Sequence, residues 1–174
     1  MSMIIDGTSG ATFPDSSAQA TSAIVGGKVP YTNLPAGSVL QVVNATQTTQ
    51  NTTTSTSFVA TGLTATITPK LASSKILVMY SAQITNTSNS SIVAHNIYRN
   101  STPLINGTTG NNVYNMEAGT GNYVWTYCNF QYLDSPSTTS ATTYTIYQKT
   151  NTGTAYFIWG NGSLGTITLM EIAA

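Results

Sequence analysis

The sequence predicts an all-β protein: a jelly-roll-like antiparallel β-sandwich head on an extended N-terminal segment, assembled as a trimer. Three observations lead there. Apolar residues recur at every second position in several stretches, most cleanly 75–85 and 142–149, which is the spacing of a strand with one buried face. Joints rich in Gly, Asn, Ser and Pro separate these stretches, and none of them carries a convincing helical pattern. Residues 123–133, YVWTYCNFQYL, carry bulk on both faces, more than a solitary two-layer sandwich hides.

Composition narrows the function classes. Of 174 residues only 6% are charged, against about a quarter in ordinary domains, and five basic side chains balance five acidic ones. Lys28, Lys70, Lys75, Arg99 and Lys149 are too scattered for the basic stripe that releases counterions, so no nucleic-acid partner is expected. Disorder requires low hydrophobicity together with high net charge, and neither holds. The single cysteine, Cys128, excludes an internal disulfide and reads as a small buried hydrophobe. The start, MSMIIDGTSG, has neither the basic n-region nor the apolar run of a signal peptide. No stretch nears the ~20 apolar residues of a membrane helix, so neither membrane insertion nor an exported barrel is expected.

Residues 1–36 differ from the remainder. Met3, Ile4 and Ile5 form a short apolar patch, the Asp6-Gly7, Ser9-Gly10 and Gly26-Gly27 pairs punctuate the chain, and Pro30 and Pro35 bracket a bend. So few apolar residues cannot bury a core. The segment is either a flexible tail or is ordered by winding with other chains or docking on a larger body.

Within it, Asp6-Gly7-Thr8-Ser9-Gly10-Ala11-Thr12-Phe13-Pro14-Asp15-Ser16-Ser17-Ala18-Gln19 closely resembles the DGTxGxTFPDSSxQ segment near the start of many tailed-bacteriophage fibre and virion structural proteins. In that family it is a thin connecting or attachment element ahead of a globular head. The stretches YLDSPSTTSATTYTIYQ and ITLMEI also look like the head of those proteins. The resemblance implies a virion component attached through Ile4, Ile5, Phe13 and Pro14 to other proteins of the tail or capsid.

From Gly37 the pattern is β, and 37–174 reads as the head domain. Strands are expected at 39–43, at 58–60 and 63–68 flanking Gly62 (a turn or bulge position), and at 75–85. The polar run 44–57 suits a loop or a solvated edge strand. Further strands are expected at 92–99, 104–105, 142–149, 156–159 and 166–172, with the aromatic run 123–133 as a long central strand. Asn161-Gly162 is a hairpin signal. About eight to ten strands separated by turns suit a sandwich, and a jelly roll best. Trimeric heads of the tumour-necrosis-factor and C1q kind have a similar size and aromatic inner sheets, a likeness of strand count alone.

In 123–133, Val124, Cys128, Phe130 and Tyr132 share one face and Tyr123, Trp125, Tyr127 and Leu133 the other. The second face is the expected trimer interface. An apolar C-terminal strand likewise suits an inner position or a subunit seam.

Catalysis needs convergent titratable groups. His95, the one imidazole, shares a strand face with Val93 and Ile97 and reads as structural. There is no GxSxG, HExxH, CxxC or phosphate-binding Gly-rich loop, and Asp6, Asp15, Glu117, Asp134 and Glu171 show no pairing by sequence. No enzyme activity, cofactor or metal is expected. What remains is binding by shape. The segment 106–122, with Asn111, Asn112 and Tyr114, mixes amides and an aromatic ring in a way that could grip a host-surface glycan. The sequence thus reads as a non-enzymatic virion fibre, a homotrimer. A capsid decoration protein and a monomeric carbohydrate-binding module stand as alternatives.

Overall fold

The computed structural model describes residues 4–6, 10–12, 18–19, 29–88, 91–105, 112–116, 125–160 and 162–174, with side chains from residue 29 onward except in 112–116. Phe13, Pro14, Asn111 and Tyr123 lie outside the described residues, as does Asn161 of the expected hairpin. All strand pairings are antiparallel. Among the described residues there is no α-helix, only a single 3-10 turn at Tyr31–Asn33.

Ile4 and Ile5 fall on β1 (Ile4–Asp6), which pairs with β2 (Gly10–Thr12), itself paired with β3 (Ala18–Gln19) in a small sheet of their own. Asp6 faces Gly10 in the β1–β2 register.

The two larger sheets are built from β4 (Val39–Gln47), β5 (Asn51–Thr53), β6 (Val59–Ile67), β7 (Lys75–Asn86), β8 (Ser91–Arg99), β9 (Thr102–Pro103) and β10 (Asn112–Met116). After these come β11 (Thr126–Asp134), β12 (Thr142–Thr150), β13 (Ala155–Phe157) and β14 (Gly165–Ile172). A five-stranded sheet runs β10-β8-β12-β6, with β9 on β8. A six-stranded sheet runs β4-β14-β7-β13-β5, with β11 on β7. Alternation decides which side chains point between them. Ile76, Val78, Tyr80, Ala82 and Ile84 of β7 meet Leu63, Ala65 and Ile67 of β6, Tyr144 and Ile146 of β12, and Ile167 and Leu169 of β14 in one buried core.

Gly62 does not break the chain, as its place between two expected strands suggests, but bends a continuous β6. Its φ is +94°, a conformation in which a Cβ is strained, and the register against β12 slips there, from Thr145↔Thr64 to Tyr147↔Ala60. Thr61 Oγ1 fills the bulge by donating to the Ile146 carbonyl at 2.8 Å. β4 likewise runs past 43 to Gln47, because Asn44 and Thr46 take the outer face while Ala45 packs against the core. The short strand expected at 104–105 forms two residues earlier, as β9.

One expectation is corrected. Residues 123–133 read as a central strand, yet β11 lies at a sheet edge: among the described residues its strand partner is β7, over Thr126↔Ile84 to Asp134↔Ile76. Apolar side chains on both faces report what lies above and below a strand. Whether a neighbour lies beside it depends on backbone hydrogen bonds, which leave no trace in side-chain pattern. The C-terminal β14, by contrast, lies inside the sheet between β4 and β7.

Candidate functional site

The buried polar groups come first, because they are where chemistry would reside. Cys128 and His95, far apart in sequence, meet across the sandwich with Nδ1···Sγ at 3.2 Å, and Tyr80 Oη lies 2.8 Å from the same sulfur. A thiol beside an imidazole is the arrangement of a cysteine nucleophile. Here all three side chains are at most 4% exposed, so no substrate reaches the sulfur. Burial holds the His95 pKa down at about 4, partly offset by Gln148, which stands opposite it in the β8–β12 register without completing an ordinary hydrogen bond to Nε2. The ring is neutral at pH 7 and packs edge-on against Phe157 and Tyr80. It is the structural histidine the sequence suggests, with a partner the sequence did not show.

The carboxylates are tied down in the same way. Arg99 Nη1 donates to both oxygens of Asp134 at 2.9 Å, and Tyr144 Oη donates to Oδ2 at 2.7 Å. Burial and that carboxylate raise the Tyr144 pKa well above the ordinary tyrosine value. The cluster joins β8, β11 and β12, and so pins one sheet to the other. Glu171, fully buried, accepts from the Lys70 backbone N–H at 2.7 Å and the Leu71 N–H at 3.3 Å, holding the turn before β7. Among the described residues no three His, Cys, Asp or Glu side chains gather to hold a metal ion. No described helix is long and apolar enough to cross a membrane.

The two outer sheet faces differ. On the five-stranded sheet several outer side chains pair with one another. Thr64 and Thr145 share a hydrogen bond at 3.0 Å, as do Thr66 and Thr143 at 2.7 Å. Tyr98 stacks on Tyr147 with centroids 3.8 Å apart, and Lys149 Nζ stands over the Phe58 ring.

The outer face of the six-stranded sheet is open, and register lays it out row by row across β11, β7, β14 and β4. Leu133, Leu77, Met170 and Val42 form an apolar row. Next come Gln131, Met79, Thr168 and Asn44, and then Asn129, Ser81, Thr166 and Thr46. Tyr127 follows beside Gln83, with Trp125 next in the same alternation. Between β11 and β14 the middle rows sink into a hollow of about 610 Å³ lined by Met79, Ser81, Asn129, Gln131, Thr166 and Thr168.

Of the eight exposed large hydrophobic residues described (Val29, Tyr31, Val39, Val42, Trp125, Tyr127, Leu133 and Leu164), five share this face. Tyr127 is the most exposed, at 60%. The five lie at the two ends of the face, with the polar middle rows between them, and exposed apolar side chains gathered on one face point to an interaction surface.

The structure places Trp125, Tyr127 and Leu133, the three described members of the expected interface, on this one face, the first two at one end and Leu133 at the other. It adds Val39, Val42, Leu77 and Met170, which sequence reasoning missed because they reach this face only through the β4–β14–β7–β11 pairing. Asn112 and Tyr114 lie on β10, opposite His95 and Val93, at the edge of the other sheet. They are not part of the open face.

Fold and face together define an antiparallel β-sandwich whose six-stranded sheet carries five of the eight exposed large hydrophobic residues described on its outer face. No protein-family model matches the chain, and no curated protein matches it. Among solved structures it is similar to the VP2 protein of infectious bursal disease virus in its D431N mutant form (T=1 particles), at 15% identity over 78% of this chain and 37% of that one, TM-score 0.41. It is also similar to the structure of the Gt strain of that virus, at 13% identity over 78% of this chain and 43% of that one, TM-score 0.40. The chain thus spans about two fifths of the length of these solved chains.

Proposed function

We propose that this chain is a non-enzymatic structural protein of a virion: a homotrimeric fibre of tail or capsid. In this reading residues 1–36 attach to other virion proteins, and a jelly-roll-like head, 37–174, faces outward for adhesion to the host surface. The observation that carries the association is that five of the eight exposed large hydrophobic side chains described share one face of one sheet. The resemblance of residues 6–19 to the attachment segment of phage fibre and virion proteins supplies the setting. The mechanism is mechanical and adhesive: three heads joined on one axis turn weak contacts with a glycan into avidity.

Light scattering on the purified chain tests the association. A mass three times 18.3 kDa is expected, and a lone chain of 18.3 kDa refutes it. Trp125→Asp or Tyr127→Asp is expected to abolish assembly while the head stays folded, because these side chains support no core. Imaging of particles that lack the protein tests its place on the virion; intact particles missing no projection or surface density would count against it.

A second reading, a monomeric carbohydrate-binding module, is favoured by one observation: two exposed rings stand at one end of a hollow lined with hydroxyls, amides and Met79 and free of charged side chains. It predicts a monomer that binds neutral oligosaccharides.

A further inference from the structure

We propose that the end of the six-stranded sheet where Tyr156 and Trp159 meet beside Thr85 is a binding site for a neutral saccharide. The inference rests on the adhesive reading above and gives the glycan a place on the head.

Alternation along β13 puts Tyr156 on the outer face and Phe157 in the core, and continued further it would put Ile158 out and Trp159 in. The structure does the reverse. Ile158 takes φ +62°, a conformation that strains a β-branched residue, and is fully buried in the core. Its N–H still reaches the Gln83 carbonyl at 2.8 Å, so the ladder to β7 continues. Room for the turned-in side chain comes from Gly165, where a Cβ would stand 2.7 Å from Ile158 Cδ1. Trp159 is thereby delivered to Tyr156, edge-on with centroids 4.3 Å apart. Ser163 Oγ fixes the turn, 2.7 Å from both the Trp159 carbonyl and Gln83 Oε1. Strain that its surroundings hold in place clusters at ligand sites, where a side chain must be presented.

Thr85 supplies the second observation. It alternates with the core residue Ile84, so it projects from the outer face of β7, and it pairs with Tyr156 in register. Continued one residue beyond Thr126↔Ile84, the β11 register sets Trp125 on its other side. The Thr85 hydroxyl is buried there without a hydrogen-bond partner. An unmet hydroxyl costs stability, so folding alone gains nothing from it. A turn of the Trp125 indole, which is 54% exposed, opens the way for a ligand hydroxyl to meet it.

The class of ligand follows from these groups. A sugar ring offers C–H bonds to the negative faces of aromatic rings, and hydroxyls that both donate and accept, as Thr85 and the Gln83 amide require. An apolar occupant, a hydrophobic side chain of a second copy included, leaves Thr85 unmet. A charged one finds no counter-charge. Asp134 and Glu171 pair with Ile76, and Lys75 precedes it, all at the far end of β7.

The test uses the full chain, titrated calorimetrically with maltohexaose, cellohexaose and N-acetylchitohexaose, and with hexagalacturonate as a charged counterpart of equal length. At least one neutral hexamer is expected to bind, and hexagalacturonate is not. Thr85→Val keeps the shape and removes the hydroxyl. It is expected to lower affinity about tenfold while the melting temperature holds or rises, a combination that a purely structural threonine does not give. Trp159→Ala is expected to abolish binding with circular dichroism and light-scattering mass unchanged. In Trp125→Phe, Trp159 is the remaining one of the chain's two indoles, and its fluorescence is expected to shift on titration. If no neutral hexamer binds, if hexagalacturonate binds best, or if Thr85→Val and Trp159→Ala bind as the wild type does, the site is wrong, while light scattering judges the trimer separately. A fall in mass for Trp159→Ala makes that residue a subunit contact and also overturns the site. A lone wild-type chain that binds through these residues removes the trimer and leaves the site standing.

Discussion

Acid is expected to destabilise the head through His95, and the size of the effect follows from where the ring sits. Burial holds its pKa at about 4 in the folded protein, against 6.5 for an unperturbed histidine. Between those two values the unfolded chain takes up a proton that the folded chain refuses. Unfolding free energy therefore falls as pH drops, with a slope approaching about 1.4 kcal/mol per pH unit and a total near 3 kcal/mol. The full stabilisation is present above pH 6.5, is lost progressively as pH falls to about 4, and changes no further below that. Urea unfolding of the wild type and of His95→Phe, at fixed protein concentration and in steps across this range, isolates the contribution. Phe keeps the edge-on contacts with Phe157 and Tyr80. Losing the partner of Cys128 costs stability equally at every pH. Carboxylates and any subunit contacts act alike in both proteins. The wild type is expected to lose about 3 kcal/mol more than the variant on acidification. Parallel losses in the two proteins would mean that His95 is solvated or that its burial is compensated, and would refute the reasoning.

The remaining predictions concern how the sheets are fastened. Arg99→Met should lower stability by about 2 kcal/mol in urea titrations, the cost of leaving the buried Asp134 carboxylate without its cation, discounted because Arg99 is 29% exposed. Tyr144→Phe removes the hydroxyl that donates to the same carboxylate and should cost about 1.5 kcal/mol, and the double variant should depart from the sum of the two. Gly153→Ala should cost at least ~1 kcal/mol, read as a lower melting temperature, because φ there is +69° and a Cβ would collide with Ser88 Oγ and Asn86 Oδ1. Glu171→Ala should cost about 2 kcal/mol and speed hydrogen exchange at the Lys70 and Leu71 amides, whose acceptor it removes.

Much of this architecture was legible in the chain. The two-residue period named the buried face of β7 residue by residue, from Ile76 to Ile84, and assigned Cys128, Phe130 and Tyr132 to one side of β11 and Trp125, Tyr127 and Leu133 to the other. It did so because alternation is local: each side chain's direction is set by the pleat beneath it. Gly62 reads as a turn or bulge because a glycine interrupts a strand pattern there, and its φ of +94° in the structure is one that glycine takes without strain.

Neighbours across space were not legible. That Cys128 meets His95, that Asp134 meets Arg99 and Tyr144, and that Val42 completes a row begun by Leu133 depend on which strands pair and which sheets stack. Those choices are made by long-range hydrogen bonding and close packing of the whole chain, and no window of the sequence contains them. The sequence by itself determined an all-β chain with two-faced strands. The tertiary structure decided that, among the described residues, β11 lies at an edge, and that exposed apolar side chains gather on one outer face instead of vanishing into the core.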